Sequence, residues 1–439
     1  MDTAQLSTIV KHIEPQMIAW RRDFHQFAES GWLEYRTASV VADILDKLGY
    51  QLQLGQEVFV ADARMGLPAQ EVMAAAFERA REQGAIEPWL SHFANGFTGI
   101  VATLDSGKPG PTIGYRVDMD ALDLDEVDDP NHIPSQAGFG SVNERMMHAC
   151  GHDGHTAIGL GLATLLAQTR AEWSGCVKII FQPAEEGTRG AKSMALAGVV
   201  DDVDYFTAIH IGTGIAQGQM VCANDSFMAT SKLDVTFTGI AAHAGGNPEQ
   251  GRSALLAAAQ ATLALHAINR HSEGASRINV GVLNAGTGRN IIAPSALLKV
   301  ETRGQNNTIN NYIYQQAKQI IQGVATMYGV DYTIKLVGAA QSSVSSPEWI
   351  SFIQQQAQAS GRFSAVHSHS QKPAGSEDAT YFMERVKACG GQAAYSIFGT
   401  QLAAGHHNEH FDFNEIVLSD ALHTLAMLTL NFDQFKSES

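Results

Sequence analysis

The densest group of candidate metal ligands lies in the motif HACGHDGH, which spans residues 148–155. Its three histidines and one cysteine stand just before a segment that is predicted to be helical. A thiolate and an imidazole two residues apart, such as Cys150 and His152, can reach one metal ion or two adjacent ions from a glycine-containing turn. The alternative is a helix cap that contains histidines without a metal. This alternative is adequate for a single histidine, but it does not account for four candidate ligands within eight residues. The motif therefore predicts a metal site.

Two adjacent carboxylates, Glu185 and Glu186, follow the predicted strand VKIIFQ. Because like charges repel, such a pair is unfavourable in a buried position unless a cation or a proton accompanies it. One carboxylate could bind a metal ion while the other accepts a proton from a metal-bound water. A solvated acidic turn is an equally good interpretation of the pair taken alone.

Histidines also follow two other predicted strands. His210 ends the strand YFTAIH, where it is either a core residue or a ligand. The segment GHHNEHF, residues 405–411, follows the strand AAYSIFGT and contains His406 and His407. Four separate segments thus offer cysteine, histidine or glutamate, most of them at strand ends. This repetition favours a metal centre over chance.

Five further polar residues are weaker candidates. Asp118 and Asp120 end a predicted strand and could orient a ligand histidine as hydrogen-bond acceptors. His243, Asn290 and Arg303 lie further along the chain and could contact anionic groups of a substrate. Ordinary polar residues of loops are an alternative of equal weight for these three.

The candidate residues lie in a sequence in which short β-rich segments alternate with helical segments. This alternation is typical of an α/β sheet covered by helices. In such sheets the chemistry gathers at the carboxyl ends of the strands. Near Phe227 the pattern changes to β-α-β-β-α-β, the split βαβ arrangement of a small separate domain. We therefore expect a discontinuous first domain, residues 1–226 and 338–439, interrupted by a ferredoxin-like domain over residues 227–337. Residues 68–90 predict a helical insertion between two strands.

The composition disfavours several classes of protein. With 45% hydrophobic and 17% charged residues, the 439-residue chain is expected to fold into two or three domains. A net charge of −16 argues against binding to nucleic acid or to anionic membranes. Four cysteines do not make a disulfide framework, and neither a secretory signal nor a membrane-spanning apolar run is evident, so we expect a cytoplasmic protein. Phosphate-binding glycine loops and a GxSxG motif are absent, which disfavours nucleotide enzymes and serine hydrolases.

Taken in order, the motifs resemble those of one enzyme family. They are WRRDFHQFAESGWLEYRTA, RVDMDAL, MHACGHDGHTA, FQPAEEGTRGA, AIHIG, GIAAHAGGNPEQGR, GSEDAT and HHNEHFDFNE. Over nearly its whole length the sequence is similar to the amidohydrolase branch of the aminoacylase–carboxypeptidase metallopeptidases. The resemblance implies a dinuclear-metallopeptidase sheet covered by helices and interrupted by a lid and dimerisation domain.

The resemblance also implies roles for the matching residues. Cys150 would bridge two divalent metal ions, Glu185 would act as general base and then as general acid, and Asp118 would support catalysis. A thiolate ligand favours zinc over magnesium, and the family makes manganese equally suitable. The remaining metal ligands would be His152, Glu186, His210 and His407.

In the second domain the resemblance identifies His243 as a lid histidine that can approach the active site of a partner chain and stabilise the oxyanion there. Asn290 and Arg303 fall in lid segments that help to hold the substrate carboxylate in relatives. A dimer through the lid domain is therefore expected, formed with a second copy or with a homologous subunit.

The sequence departs from the family pattern at three places. Glu409 stands where many relatives have proline, so His406 stays open as an alternative to His407 as the ligand. Asp123 replaces the proline of DMDALP, and the insertion over residues 68–90 is also unusual. These two departures favour hydrolysis of p-aminobenzoyl-glutamate, a folate fragment, to p-aminobenzoate and glutamate. The alternatives are a broader, hippurate-like N-acyl-amino-acid amidohydrolase and a non-catalytic partner subunit of a heteromeric hydrolase.

Overall fold

The computed structural model describes residues 1–370 and 375–438 of the chain. Its strands are β1 (Gln51–Leu54), β2 (Ile100–Asp105), β3 (Thr112–Asp118), β4 (Cys176–Gln182), β5 (Tyr205–Ile211), β6 (Gln219–Ala223), β7 (Ala229–Thr238), β8 (Ser276–Ala285), β9 (Ser295–Gly304), β10 (Asp331–Ala340), β11 (Ala365–His369) and β12 (Gln392–Phe398). Its helices are α1 (Thr3–Gln26), α2 (Tyr35–Lys47), α3 (Gln70–Glu82), α4 (Glu87–Leu90), α5 (Ile133–Ala137), α6 (His152–Gln168), α7 (Ala191–Leu196), α8 (Ala254–His266), α9 (Asn307–Tyr328), α10 (Pro347–Ala359), α11 (Thr380–Ala388), α12 (Ile416–Leu430) and α13 (Phe432–Glu438). Within this described part, no helix combines the length and the apolar character needed to cross a membrane.

The described residues divide into two compact units. The first comprises Met1–Ser226 and the chain from Ser343 onward, except for residues 375–377. The second comprises Phe227–Ser342 with residues 375–377. The boundary expected between residues 337 and 338 falls inside β10, which pairs with β7 as far as Ala340. Because the backbone hydrogen bonds of β10 belong to the second unit, that unit extends to Ser342 instead.

The first unit is built on a mixed eight-stranded sheet in the order β1-β2-β4-β3-β5-β12-β6-β11. Its four central strands, β4, β3, β5 and β12, are parallel to one another. Their carboxyl ends therefore meet at one edge of the sheet, where the following loops carry the candidate site residues. The α/β architecture expected from the sequence is confirmed.

Helix α6 is enclosed within the first unit. Its sequence HDGHTAIGLGLATLLAQ is mainly apolar after the first turn, and most of its residues are buried, as expected for a helix surrounded by protein. Helices α1 and α12 pack against it. Gly159 permits close approach to the sheet, because a Cβ there would lie 2.8 Å from Val117 Cγ2 and 2.9 Å from Phe181 Cε1. The middle of α6 thereby packs closely against β3 and β4.

A long excursion of the chain, residues 55–99, joins β1 to β2. It contains α3, α4 and three short 3₁₀ turns, and α3 buries Met73, Ala76 and Ala80 against the rest of the unit. The helical insertion predicted over residues 68–90 corresponds to α3 and α4.

The second unit contains a four-stranded antiparallel sheet in the order β10-β7-β9-β8, with α8 and α9 packed against it. Its elements follow the order β-α-β-β-α-β. Alternate residues of β7, namely Leu233, Val235 and Phe237, point into the core between sheet and helices. The role of this unit as a lid or dimerisation domain stays a prediction.

Candidate metal centre

Cys150 lies in the turn that leads into α6. The residue after it, Gly151, has a φ of 92°, and a Cβ there would lie 2.8 Å from Ile211 Cδ1. Glycine is needed at this position because other residues rarely adopt that conformation and have no room beside the isoleucine. The turn brings Sγ of Cys150 to 3.5 Å from Nε2 of His210 at the end of β5.

His152 and His210 have one ring nitrogen fixed by the main chain. Nδ1 of His152 donates a hydrogen bond to the Asp120 carbonyl (2.9 Å), and Nδ1 of His210 donates to the Ile211 carbonyl (2.7 Å). Because a carbonyl oxygen only accepts, both Nδ1 atoms carry the hydrogen, and the lone pair of Nε2 is the one that each ring can offer to a metal ion. Nε2 of His152 is buried without a hydrogen-bond partner. A metal ion would satisfy this lone pair.

Two groups of candidate ligands share the cysteine. In one group the ligand atoms of Cys150, His152 and His210 all lie within 4.8 Å of one another. In the other, the same holds for Cys150, Glu186 and His407, with Oε1 of Glu186 at 3.4 Å from Nε2 of His407. Sulfur, nitrogen and oxygen donors in this combination suit zinc and manganese.

The two adjacent histidines of the loop after β12 have different surroundings. The amide of His407 donates to the Ala149 carbonyl (2.8 Å), and its φ of 63° turns the chain sharply at this point. His406 points elsewhere, and its Nε2 accepts a hydrogen bond from the Thr213 amide at 2.9 Å. The lone pair of His406 is thus already used, which supports His407 as the ligand.

Glu185 is buried beside the candidate ligands. Its main-chain amide and that of Glu186 donate to the two oxygens of the Asp120 carboxylate, at 3.0 and 2.9 Å. Carboxylate oxygens of Glu185 and Glu186 and a ring nitrogen of His152 lie within 4.8 Å of one another. Neither of the two cysteine-containing groups includes Glu185, so its carboxylate is placed to exchange protons next to them.

Nearby negative groups raise the pKa of two candidate histidines of this centre, whereas burial lowers the pKa of His210. Burial alone would lower the pKa of His152, yet the charge of Asp118 helps to raise it well above its usual range. Hydrogen bonds with Cys150 and Glu186 raise the pKa of His407 to about 10. Surroundings that attract a proton to these imidazoles would also attract a divalent cation.

Asp118 and Asp120 were both expected as acceptors for a ligand histidine, and the main-chain carbonyl of Asp120 holds Nδ1 of His152. Oδ1 of Asp118 accepts a hydrogen bond from Nδ1 of His155 at 2.6 Å, and its Oδ2 is 3.7 Å from Nε2 of His152. Nε2 of His155 in turn accepts from the Ile211 amide at 3.0 Å. Asp118 therefore acts through His155 on the end of β5, because its carboxylate is already engaged there.

Sequence reasoning missed the charged residues that hold the start of α6. Asp153, next to His152, accepts hydrogen bonds from Nε of Arg21 and Nδ1 of His25, both at 2.9 Å. Arg21 also pairs with Asp412 at 2.6 Å. The motif WRRDFH contains both Arg21 and His25 and could have drawn attention to them. Their partners, Asp153 and Asp412, lie far away along the chain, so the sequence did not reveal these contacts.

The three candidates of the second unit do not converge within that unit. The residue after His243 donates its amide hydrogen to the Asn290 carbonyl at 3.0 Å, so His243 and Asn290 lie on adjoining loops. These loops adjoin the start of β9, whereas Arg303 lies near its end and pairs with Glu301 at 2.9 Å. Eight residues of β-strand separate the two places by about 27 Å. One chain therefore does not bring Asn290 and Arg303 to the same carboxylate.

A mixed α/β sheet with a candidate cysteine ligand shared by two groups and an adjacent carboxylate is the arrangement expected of a metal-dependent hydrolase. Residues 114–429 match the model of peptidase family M20/M25/M40. The chain belongs to this family and is a metal-dependent amidohydrolase. The family expected from the sequence motifs is confirmed.

Three relatives show how far the similarity extends. The chain is 60% identical over 427 residues to one of the subunits of p-aminobenzoyl-glutamate hydrolase from Escherichia coli strain K12, covering 97% of this chain and 98% of that protein. It is 59% identical over 427 residues to indole-3-acetyl-aspartic acid hydrolase of Enterobacter agglomerans, with the same coverage. The crystal structure of aminobenzoyl-glutamate utilization protein from Klebsiella pneumoniae is 55% identical, with a TM-score of 0.86 over 97% of this chain and 98% of that one.

Proposed function

We propose that the protein hydrolyses the amide bond between an aromatic acyl group and a dicarboxylic amino acid, with p-aminobenzoyl-glutamate as the main substrate. The products would be p-aminobenzoate and glutamate. The observation that carries the proposal is the sharing of Cys150 by two groups of metal-binding side chains, with Glu185 beside them. The relatives at 60% and 59% identity are named for two such compounds, each an aromatic acid joined to an acidic amino acid.

Two divalent metal ions, zinc or manganese, fit the donors of this centre. Cys150, His152, His210, Glu186 and His407 would hold them. When bound, the ions would polarise the scissile carbonyl and lower the pKa of a water molecule. The buried lone pair on Nε2 of His152 supports a metal ion at this place, because a hydrogen-bond partner is missing there.

Glu185 is assigned the proton transfers. Its carboxylate would accept a proton from the attacking water and pass it to the leaving amine nitrogen. The hydrogen bond from its amide to Asp120, at 3.0 Å, holds the residue in place before the reaction begins. His243 would donate to the developing oxyanion, and removal of a donor of this kind raises the barrier by about 3 kcal/mol.

A dimer through the second unit is part of the proposal. His243 and Asn290 lie at one end of that unit and Arg303 at the other, so a substrate carboxylate site containing all three would draw on two chains. Helix α8 also exposes three leucines, Leu255, Leu256 and Leu263, that a second copy or a homologous subunit could cover.

We infer a reducing compartment, the cytoplasm, for the protein. All four cysteines, Cys150, Cys176, Cys222 and Cys389, are free thiols in the fold. Disulfide-free chains of this kind are typical of reducing compartments.

Hydrolysis of indole-3-acetyl-aspartate is the second candidate, favoured by the relative at 59% identity that is named for it. The remaining alternatives are a broader hippurate-like activity and a non-catalytic role within a heteromeric hydrolase. A hippurate-like enzyme would act on substrates without a side-chain carboxylate. A non-catalytic subunit would leave activity unchanged when its own Glu185 is replaced.

The test is turnover by the purified chain, reconstituted with manganese or zinc, on p-aminobenzoyl-glutamate, indole-3-acetyl-aspartate and hippurate. We expect p-aminobenzoyl-glutamate to be cleaved fastest, and Glu185→Gln to retain its metal while turnover falls about 10²–10⁴-fold. Equal rates on all three compounds would reject the narrow specificity. Unchanged turnover by Glu185→Gln, alone or with an added homologous subunit, would reject catalysis by this chain.

A further inference from the structure

The turn that carries Glu185 and Glu186 is held by two buried acids from distant parts of the chain. The Asp120 carboxylate accepts the amide hydrogens of Glu185 and Glu186. Oε1 of Glu34 accepts the amide hydrogen of the preceding residue, Ala184, at 2.8 Å. Three successive main-chain amides are thus bound by two carboxylates, neither of which belongs to the turn.

Ala184 needs such a restraint because its backbone is unusual. Its φ of 52° lies in the left-handed region, which alanine rarely adopts. The segment before Glu34 also approaches the turn closely, since a Cβ at Gly31 would lie 2.9 Å from the Cα of Ala184. A conformation of this kind persists where the surrounding contacts determine it, and the Glu34 hydrogen bond is one of those contacts.

Glu34 also binds the excursion between β1 and β2. Its Oε2 accepts a hydrogen bond from Oγ1 of Thr98 at 2.6 Å, and both side chains are fully buried. Arg189 makes a second link, since its Nε donates to the Glu186 carbonyl at 2.7 Å and its Nη1 to the Gly66 carbonyl at 3.2 Å. The turn is therefore tied to residues 55–99 at both of its ends.

The ionised form of a buried carboxylate is unfavourable when no cation lies beside it. No salt bridge involves Glu34 in the part of the chain that the structure describes. Burial and the nearby Asp120 raise the pKa of Glu34 to about 8. A neutral side chain of the same shape should consequently fill its place.

From this geometry we propose that Glu34 is a positioning residue for the general base, which it holds through the main-chain amide of Ala184. The proposal rests on the function proposed above, in which Glu185 moves the proton. The hydrogen bonds of Glu34 go to the Ala184 amide and the Thr98 hydroxyl, so it acts by fixing the backbone from which Glu185 and Glu186 extend. The excursion over residues 55–99 is thereby coupled to the reacting groups.

The test compares Glu34→Ala, Glu34→Asp and Glu34→Gln with Glu29→Ala in the metal-loaded full chain. Glu29 is a matched control, since it is also buried and its carboxylate accepts the amides of Arg36 and Thr37 at the start of α2. We expect the alanine and aspartate variants of Glu34 to lose about 10–100-fold in kcat at unchanged KM. Glu34→Gln keeps an acceptor for Ala184 and should retain most of the wild-type kcat, and Glu29→Ala should do so as well.

Hydrogen exchange provides a readout that does not depend on activity. Deuterium uptake by the peptide over residues 183–190 should rise in Glu34→Ala and Glu34→Asp but stay unchanged in Glu29→Ala. If Glu34→Ala does not fold, Thr98→Val, which removes only the hydroxyl partner, should show the same rise to a smaller degree. Unchanged exchange in these variants, or a kcat no lower than that of Glu29→Ala, overturns the proposal. A wild-type chain that cleaves none of the compounds contradicts the proposed function instead, and the exchange result still decides the role of Glu34.

Discussion

The ring nitrogens available to metal are selected by hydrogen bonds on the opposite side of each imidazole. In His152 and His210 a main-chain carbonyl holds Nδ1, so Nε2 is the ring nitrogen that each could offer to a metal ion. Those carbonyls belong to Asp120, two residues after β3, and to Ile211, the last residue of β5. The backbone therefore orients these two candidate ligands.

The pair His406 and His407 allows a direct test of the ligand assignment. We expect His407→Ala to weaken metal binding by about 10–100-fold because it removes a donor beside Cys150 and Glu186. His406→Ala should leave metal content unchanged, since its Nε2 is bonded to the Thr213 amide. Metal analysis after dialysis against a range of free zinc or manganese measures the difference. Equal loss of metal in the two variants would contradict the assignment of His407, rather than His406, as the metal ligand.

Asp420 gives the stability of the protein a defined dependence on pH. Burial raises the pKa of Asp420 to about 6, against a partial offset by Arg362. Since the folded pKa lies above the unfolded value, the acid is stabilising when protonated, and that contribution is lost as pH rises from about 4 through 6. Asp420→Asn should exceed the wild type in free energy of unfolding by about 1 kcal/mol at pH 8, after discounting for partial solvent exposure, and by about half of that at pH 5.

Urea unfolding at the two pH values measures this effect. Asp43→Asn is a suitable control, because Asp43 pairs with Lys47 on the exposed side of α2. A stability difference between Asp420→Asn and the wild type that does not change with pH would contradict the expected titration.

At the level of elements, the sequence predicted the parts of the fold that are locally apolar. The central strands β3, β4 and β5 and the buried helix α6 stand out because long apolar runs identify them. The strands β1, β6 and β11 were not predicted. Each has only four or five residues, and β11, with the sequence AVHSH, is largely exposed at the edge of its sheet. Such strands exist because partners distant in the chain supply their hydrogen bonds, which no local pattern records.

The same limit applies to the candidate site. The motifs and the family resemblance predicted six site residues, namely Cys150, His152, Glu185, Glu186, His210 and His407. Glu34 lies within the motif WLEYRTA, but its role depends on Ala184 and Thr98, each far from it in sequence. Pairings of this kind follow only from the folded backbone. They are therefore the part of the site that sequence patterns do not predict.

The packing of α6 on the sheet can be tested with two glycines. Gly159→Ala should destabilise the protein by about 1–3 kcal/mol, because the added methyl group overlaps Val117 and Phe181. Gly323→Ala in α9 has no atom within 4 Å of the new Cβ and should stabilise by about 0.5–1 kcal/mol. Chemical unfolding of both variants gives the comparison. Similar free energies of unfolding for Gly159→Ala and Gly323→Ala would show that α6 accommodates the added methyl group by a small movement away from the sheet.

At the scale of the whole molecule, net charge and substrate charge have the same sign. The chain carries −16, and the proposed substrate is an anion with two carboxylates. At physiological salt, charges more than about 8 Å away are largely screened, so recognition depends on cations close to the bound substrate. Arg303 is the cation proposed for this role, and its effect depends on the assembly of two chains.

The expected dimer predicts the effect of a charge on α8. Leu263 is 71% exposed, and Leu263→Asp should convert the dimer to a monomer if this helix lies in the interface. Leu196 in the first unit is 57% exposed and provides the control, since Leu196→Asp should leave the mass unchanged. Light scattering coupled to size exclusion measures both. A wild-type chain that elutes as a monomer would contradict the prediction directly.

The insertion of the second unit also sets an order of events during protein synthesis. Cys150, His152, Glu186 and His210 leave the ribosome before the second unit, whereas His407 follows it, as does β12, which pairs with β5. Until the last tenth of the chain emerges, β5 pairs with β3 along one edge only, and the proposed set of metal donors lacks His407. If these residues hold the metal ions, the complete centre can form only when translation is nearly finished, and chains that terminate early cannot acquire it.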